Sequence, residues 1–330
     1  MSAESAQARR RARRSNARLF VALGVVFVLL VGGLIGYALR ASTAPASAQD
    51  TLRVITTTNF LDDTVRQVGG DHVDTVRLMG PGVDPHLYQA KASDLDAMRD
   101  ADAVFAIGLF LEGSMQQTLS QIANTKPVLF AGESIPKDEL LSPPANAAPQ
   151  EEHDPHVWFD PRLWAYVVDA VRDELSRIDP AHAEDYHANA DRYRAQVLAL
   201  ATEVRAMLER IPADRRTLVT SHDAFRYFGR AFGIEVTAIQ GISTQEEATT
   251  ADIARVADAI ADSEVRSVFV ESSVSPQTLE SVLAAVRHRG EDIQIGGELF
   301  SDSAGDDGTP EGTYLGMIRA NAERLVLGLS

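Results

Sequence analysis

Eight short β-branched runs, each followed by an amphipathic stretch, constrain this chain more than any other feature. The first four are Leu52 to Thr57, Val73 to Met79, Ala103 to Ile107 and Pro127 to Phe130; the second four are Thr217 to Thr220, Glu235 to Ile239, Ser267 to Val270 and Ile293 to Ile295. Strands that alternate with helices are joined by crossovers, and crossovers make parallel sheet. The two series predict an α/β fold of two similar lobes, each a mostly parallel four-stranded sheet flanked by helices. Between them Tyr186, Ala190, Tyr193, Val197, Leu200, Val204, Met207 and Ile211 recur at alternating spacings of four and three. That stripe is one face of a single long helix, which Asp179-Pro180 can start and Pro212 can stop. The expected organisation is an N-terminal lobe at 49–182, a stiff interdomain helix at 183–211 and a C-terminal lobe at 212–330. The Pro/Ala-rich, then acidic segment 137–155 reads as a surface loop.

Residues 1–48 stand apart in composition. They hold seven arginines and one acid, Glu4, whereas the rest of the chain has 24 basic and 46 acidic residues, a net charge of −22. From Leu19 to Leu39 the chain is uncharged and rich in Val, Leu and Gly, and Ala46-Ser47-Ala48 follows. A basic end, an apolar core and a small-residue site are the parts of an export signal, and about 20 apolar residues also suffice to cross a bilayer. Cleavage after Ala48 and an uncleaved N-terminal anchor both fit; in either case the chain from about Gln49 onward is expected outside the cytoplasm.

The whole chain has a net charge of −16, which disfavours binding to nucleic acid phosphates. It has no cysteine, so disulfides, thiolate metal sites, Cys nucleophiles and lipid attachment drop out, and His and carboxylate remain as the strong metal ligands. Neither Gly-rich phosphate loop, nor HExxH, nor GxSxG occurs.

Three of the eight histidines sit where ligands belong. His86 follows the second strand in Asp84-Pro85-His86, and His222 ends the fifth in Thr220-Ser221-His222-Asp223. Carboxyl ends of strands line the binding crevice of open α/β sheets. His156 closes a second Asp-Pro-His, Asp154-Pro155-His156, ahead of Trp158 and Phe159. The prolines stiffen the backbone before each imidazole, and Leu87, Trp158 and Phe159 are expected to wall the site. Any one of these histidines alone reads more readily as a hydrogen-bonded structural residue; their joint placement points to a metal. The last strand leads through Gly296-Gly297 to Asp302 in a Gly-containing turn, which suits a fourth ligand or an ordinary turn residue. Asp223 and Glu271 are placed either to orient an imidazole or to cap a helix. His153 is expected to be solvated, and His72, His182, His187 and His288 to lie on the surface; Phe225, Tyr227 and Phe228 are expected in the core.

The segments GVDPHLYQAKASD (82–94), ADAVFAIGLFLE (101–112), DPHVWFDPRLW (154–164), LVTSHDAFRYFGRAFGIEVTAIQGISTQEEAT (218–249), VFVESSV (268–274) and IGGELFSDSAGDDGTPEGTYLGMI (295–318) together resemble the TroA-type (cluster A-I) metal-binding receptors of ABC transporters. The resemblance spreads over nearly all of 51–330. It implies His86 and His156 as ligands from the first lobe and His222 and Asp302 from the second, with one Zn2+ or Mn2+ buried between them as cargo. It also implies a monomeric, non-enzymatic protein that hands the ion to an integral membrane permease with a cytoplasmic ATPase. Some manganese-selective relatives place Glu where this chain has His222, which leans the reading towards zinc or mixed zinc and manganese. Zinc specialists often carry a His-rich loop where 137–155 lies, and His153 is the one histidine in that loop here. Two rivals remain on sequence grounds: a secreted metal-dependent hydrolase, and a surface adhesin stabilised by its metal. Imidazole ligands must be deprotonated, so affinity is expected to weaken as pH falls through about 6.5.

Overall fold

A strand buried on both faces needs apolar residues at consecutive positions, and Ala103–Ala106 and Val54–Thr56 meet that demand with complete burial. In a computed structural model, which describes residues 51–144, 147–262, 265 and 267–330, these runs lie at the centre of a four-stranded parallel sheet. Its strands are β1 (Leu52–Thr56), β2 (Val73–Arg77), β3 (Ala103–Ala106) and β4 (Val128–Phe130), in the order β2-β1-β3-β4. Helices α1 (Asn59–Gly69), α2 (Ala92–Asp100) and α3 (Gln116–Ala123) make the crossovers. The export segment expected at 1–48 lies outside the described residues.

The second half repeats the rhythm with β5 (Thr217–Thr220), β6 (Glu235–Ala238), β7 (Ser267–Glu271) and β8 (Gln294–Leu299). Its helices are α6 (Arg226–Phe232), α7 (Thr250–Ala261) and α8 (Gln277–His288). All pairings are parallel, but the expected four-strand ladder is drawn differently. Among the described residues β5 pairs with β6 and β7 with β8, while β5 and β7 run side by side without ladder bonds.

The last strand also runs further than its β-branched residues suggest, passing through both glycines to Leu299. A shift of register between Val268 and Phe269 absorbs the extra residue. Gly296 is required there, since a Cβ would come within 2.8 Å of Ser267 Cβ and 2.9 Å of the Phe269 ring. Small residues that read as a turn in sequence are therefore strand residues under a crowding aromatic.

Between the halves run α4 (Pro161–Ile178) and α5 (Ala183–Leu208), and α9 (Tyr314–Leu329) closes the chain. The 26 residues of α5 span about 39 Å. The helix is shorter than the 183–211 stripe because Glu209 caps it, although Ile211 remains buried. At the other end Asp179-Pro180 opens a 3-10 turn, Pro180–His182, before the α-helix begins. The stripe residues Tyr186, Ala190, Tyr193, Val197, Leu200 and Val204 are all buried. They belong to one continuous core that includes Phe60 and Trp158 on one side and Phe228 and Leu325 on the other. Trp164 of α4 stacks on Tyr314 of α9 with ring centroids 4.9 Å apart. A hinge between lobes that share a close-packed core opens at the cost of that core, which limits relative motion.

Candidate metal centre

Each Asp-Pro-His segment folds by the same local rule. Asp84 Oδ1 accepts from His86 N at 2.8 Å, and Asp154 Oδ1 accepts from His156 N at 3.1 Å. The aspartates, two residues upstream, close the turns that aim the imidazoles; the prolines only restrict the backbone between. His86 sits in the loop between β2 and α2, and His156 opens the 3-10 turn Val157–Phe159 ahead of α4. His222 follows β5 and Asp302 follows β8. The four are brought together, with a ligand atom from each lying within 4.8 Å of all the others.

Asp302 is the hub. His222 Nε2 lies 3.2 Å from its Oδ2, His86 Nε2 3.8 Å from the same oxygen, and His156 Nε2 3.6 Å from Oδ1. None of the four residues is more than 1% exposed. Yet the Nε2 atoms of all three histidines and both oxygens of Asp302 are buried without a hydrogen-bond partner among the described residues. Unpartnered buried polar atoms are costly and uncommon. Three imidazole nitrogens and a carboxylate converging on one point fit a borderline divalent ion, with one carboxylate oxygen for tetrahedral coordination or two for a higher number. The buried site can thus hold one metal ion.

Two imidazoles are braced from behind by carboxylates. Glu271, at the end of β7, takes His222 at both the backbone N (2.9 Å) and ring Nδ1 (2.5 Å). Asp154 takes His156 Nδ1 at 2.8 Å with the oxygen that also receives the backbone N–H. Bonds of this kind fix the tautomer that leaves Nε2 free to ligate a metal and raise its basicity. His86 is held through its backbone instead: its carbonyl accepts from Ser114 Oγ at 2.7 Å and Gln245 Nε2 at 3.0 Å.

Charge follows from this wiring. Burial lowers the pKa of His86 to about 3 against the pull of Asp302, with the other two imidazoles adding to the lowering, so it is neutral and ready to ligate. Burial acts the same way on His222, but Asp302 and Glu271 outweigh it and raise this imidazole well above its ordinary value. Burial would raise Asp302; the three histidines, His222 foremost, hold it below the usual carboxylate range.

Of the other residues singled out in the sequence, Glu271 braces the His222 imidazole, whereas Asp223 faces Arg226. Asp223 lies 3.6 Å from Arg226, and burial, together with the neighbouring Asp154, raises its pKa to about 7. Asp154 was legible only as part of its motif, and its brace on the ring depends on how the turn closes. Trp158 walls the site in full burial, its ring 5.1 Å from that of His156, whereas Phe159, also buried, packs on Phe225 with ring centroids 4.3 Å apart. Leu87 does not wall the site either: it is 51% exposed, turned outward by the loop that turns His86 inward. Phe225, Tyr227 and Phe228 are core. His153 is half-buried with Nδ1 enclosed, rather than solvated, and lines a cavity together with Leu109, Glu133, Lys137 and Leu140. His72 and His182 are also half-buried, stacked on each other at 3.9 Å with carboxylate partners Asp185 and Asp179; His187 and His288 are exposed.

The chain is similar over most of its length to known metal-binding proteins. The zinc-binding protein TroA of Treponema pallidum (strain Nichols) is 40% identical over 303 residues, covering 92% of this chain and 97% of that protein. The manganese-binding lipoprotein MntA of Bacillus subtilis (strain 168) is 39% identical over 287 residues, 87% of this chain and 92% of MntA. The manganese ABC transporter substrate-binding lipoprotein PsaA of Streptococcus mitis is 27% identical over 314 residues, 93% and 99% of the two chains. The solved structure of periplasmic TroA from T. pallidum superposes with a TM-score of 0.81 over 85% of this chain and 99% of its own. The model of the family ZnuA, zinc-uptake complex component A, periplasmic, matches residues 54–328, and the chain belongs to that family.

Proposed function

We propose that this protein is the extracytoplasmic receptor of an ABC transporter and captures one zinc or manganese ion with His86, His156, His222 and Asp302. The observation that carries the reading is the convergence of five buried, unpartnered ligand atoms on a single point. An ion replaces their missing hydrogen bonds all at once. The relatives TroA, MntA and PsaA, which bind zinc or manganese by name, support the same cargo.

Both oxygens of Asp302 are free of other partners. The site therefore suits tetrahedral zinc through one oxygen and a higher-coordinate manganese through two. Nitrogen-rich sites bind zinc more tightly than manganese, so the ion carried in the cell follows supply as well as affinity.

In this reading residues 1–48 export the chain, and 49–182, 183–211 and 212–330 act as lobe, joining helix and lobe. The protein works as a monomer and delivers its ion to a membrane permease driven by a cytoplasmic ATPase. It is not an enzyme: four protein ligands fill a tetrahedral zinc shell, whereas hydrolysis needs an open position for water. The deep burial of all four residues favours storage of the ion over turnover of a substrate.

Competitive equilibrium binding of zinc and manganese to the chelator-stripped protein, beside His222→Ala, tests this. One tight ion per chain, lost in the variant, is the expected result. No stoichiometric binding of either ion overturns the reading.

A further inference from the structure

The segment 240–245, between β6 and α7, touches two ligand-bearing turns on opposite lobes. At its root, Gln240 N donates to Ser221 O (2.9 Å) and Asp223 N donates to Gly241 O (3.0 Å), so the backbone on either side of His222 is gripped. Ile242, 1% exposed, pins the middle. At its tip, Thr244 Oγ1 donates to Asp84 Oδ2 at 2.5 Å, and Asp84 Oδ1 in turn receives the His86 N–H. Beside it Gln245 Nε2 donates to the carbonyl of His86. A chain of hydrogen bonds therefore joins His222 to His86 across the cleft without passing through the ion.

The two ligands differ in what depends on this chain. Glu271, in the same lobe as His222, braces that imidazole whether or not the segment is docked. His86 has no comparable brace: within 4 Å its ring meets no carboxylate but Asp302 among the described residues, at 3.8 Å. What aims it is the turn closed by Asp84 and the bonds to its carbonyl, and the segment supplies a bond to each.

We propose that residues 240–245 are an interlobe strap, and that Thr244 and Gln245 are positioning residues which set the rate of metal release by holding His86 on the ion. This rests on the receptor reading above. Undocking of the tip leaves His86 with Ser114 as the remaining side-chain partner of its carbonyl and leaves Asp84 free to turn. The His86 bond to the ion then breaks first, while His156, His222 and Asp302 keep theirs. A partner that pulls the strap outward opens the site without rotating whole lobes, which suits two lobes built on one shared core.

The test is zinc transfer from the loaded protein to excess chromophoric chelator, for the unaltered chain, for Thr244→Val with Gln245→Ala, and for Ser120→Ala. Ser120 is an exposed residue of the N-terminal lobe whose hydroxyl bonds to Gln116 O of its own helix. The expected result is release at least about tenfold faster in the double variant and unchanged in Ser120→Ala. The cobalt(II) absorption spectrum and the metal-free melting temperature of the double variant should match those of the unaltered protein. Unchanged release in the double variant overturns the strap while the unaltered protein still binds zinc. Faster release accompanied by a lowered metal-free melting temperature also overturns it, because general loosening then suffices. Failure of the unaltered protein to bind stoichiometric zinc overturns the receptor reading itself.

Discussion

Glu271 holds His222 at two points, accepting from the backbone N–H with one oxygen and from ring Nδ1 with the other at 2.5 Å. Glu271 ends β7, His222 lies two residues beyond the end of the neighbouring β5, and both are buried. Glu271→Gln keeps an acceptor in place and removes the charge, which weakens the imidazole as a donor to the ion. Zinc affinity measured by chelator competition is expected to fall about 10- to 100-fold, the usual effect of losing such a partner. Unchanged affinity would mean that Glu271 serves the fold alone.

Asp302→Ala removes the hub to which all three imidazoles point. Stoichiometric binding should be lost while the metal-free protein still melts cooperatively, because the hydrophobic core around α5 does not include Asp302. Retention of one tight ion per chain in this variant would falsify the assignment of Asp302.

The pH dependence is set by His222. Its pKa in the metal-free protein lies well above the ordinary 6.5, because Asp302 and Glu271 outweigh the effect of burial. An entering ion must expel that proton throughout the neutral range. Affinity therefore rises about tenfold per pH unit up to the His222 pKa, and about one proton is released per ion at pH 7. His86, lowered to about 3, has no proton to give there. The break near 6.5 expected of an ordinary histidine is displaced upward. Binding heats in buffers of different ionisation enthalpy count the protons directly, and a count of zero at pH 7 counts against this wiring.

Metal should raise stability without creating the fold. The shared core around α5 involves no ligand residue, so the metal-free protein is expected to melt cooperatively. Zinc at a free concentration 100 times its Kd adds about 2.7 kcal/mol. Calorimetry with and without chelator checks both statements; an unfolded metal-free state would favour a structural metal, as in the adhesin alternative.

Core and surface contacts should separate cleanly. Trp164 is fully buried, stacks on Tyr314 and donates from Nε1 to Thr64 Oγ1. Trp164→Ala is expected to cost about 3–5 kcal/mol in denaturant titration. Arg319 pairs with Glu203 at 2.6 Å, but both side chains are about 40% exposed. Arg319→Ala should cost no more than about 1 kcal/mol, and a larger loss would show that the long aliphatic stem matters more than the ion pair.

The sequence by itself determined the strands, their parallel sense, the long buried stripe and the three histidines that converge, while Asp302 read equally as a turn residue until the family resemblance singled it out. β-branched runs and helical periodicity are local signals, and the Asp-Pro-His turns close within three residues, so their geometry is carried by neighbours in the chain. What the tertiary structure decided is everything that depends on partners far away in sequence. The pairing of Glu271 with His222 spans 49 residues and that of Thr244 with Asp84 spans 160. Neither leaves a periodic trace. The second half's strands were legible one by one, but which of them share a ladder depends on how whole strands are set beside each other. His222 was legible as a ligand from its place after a strand, whereas its raised pKa was not. That value exists only because folding buries two carboxylates against one imidazole, and burial strengthens charge interactions that water would screen.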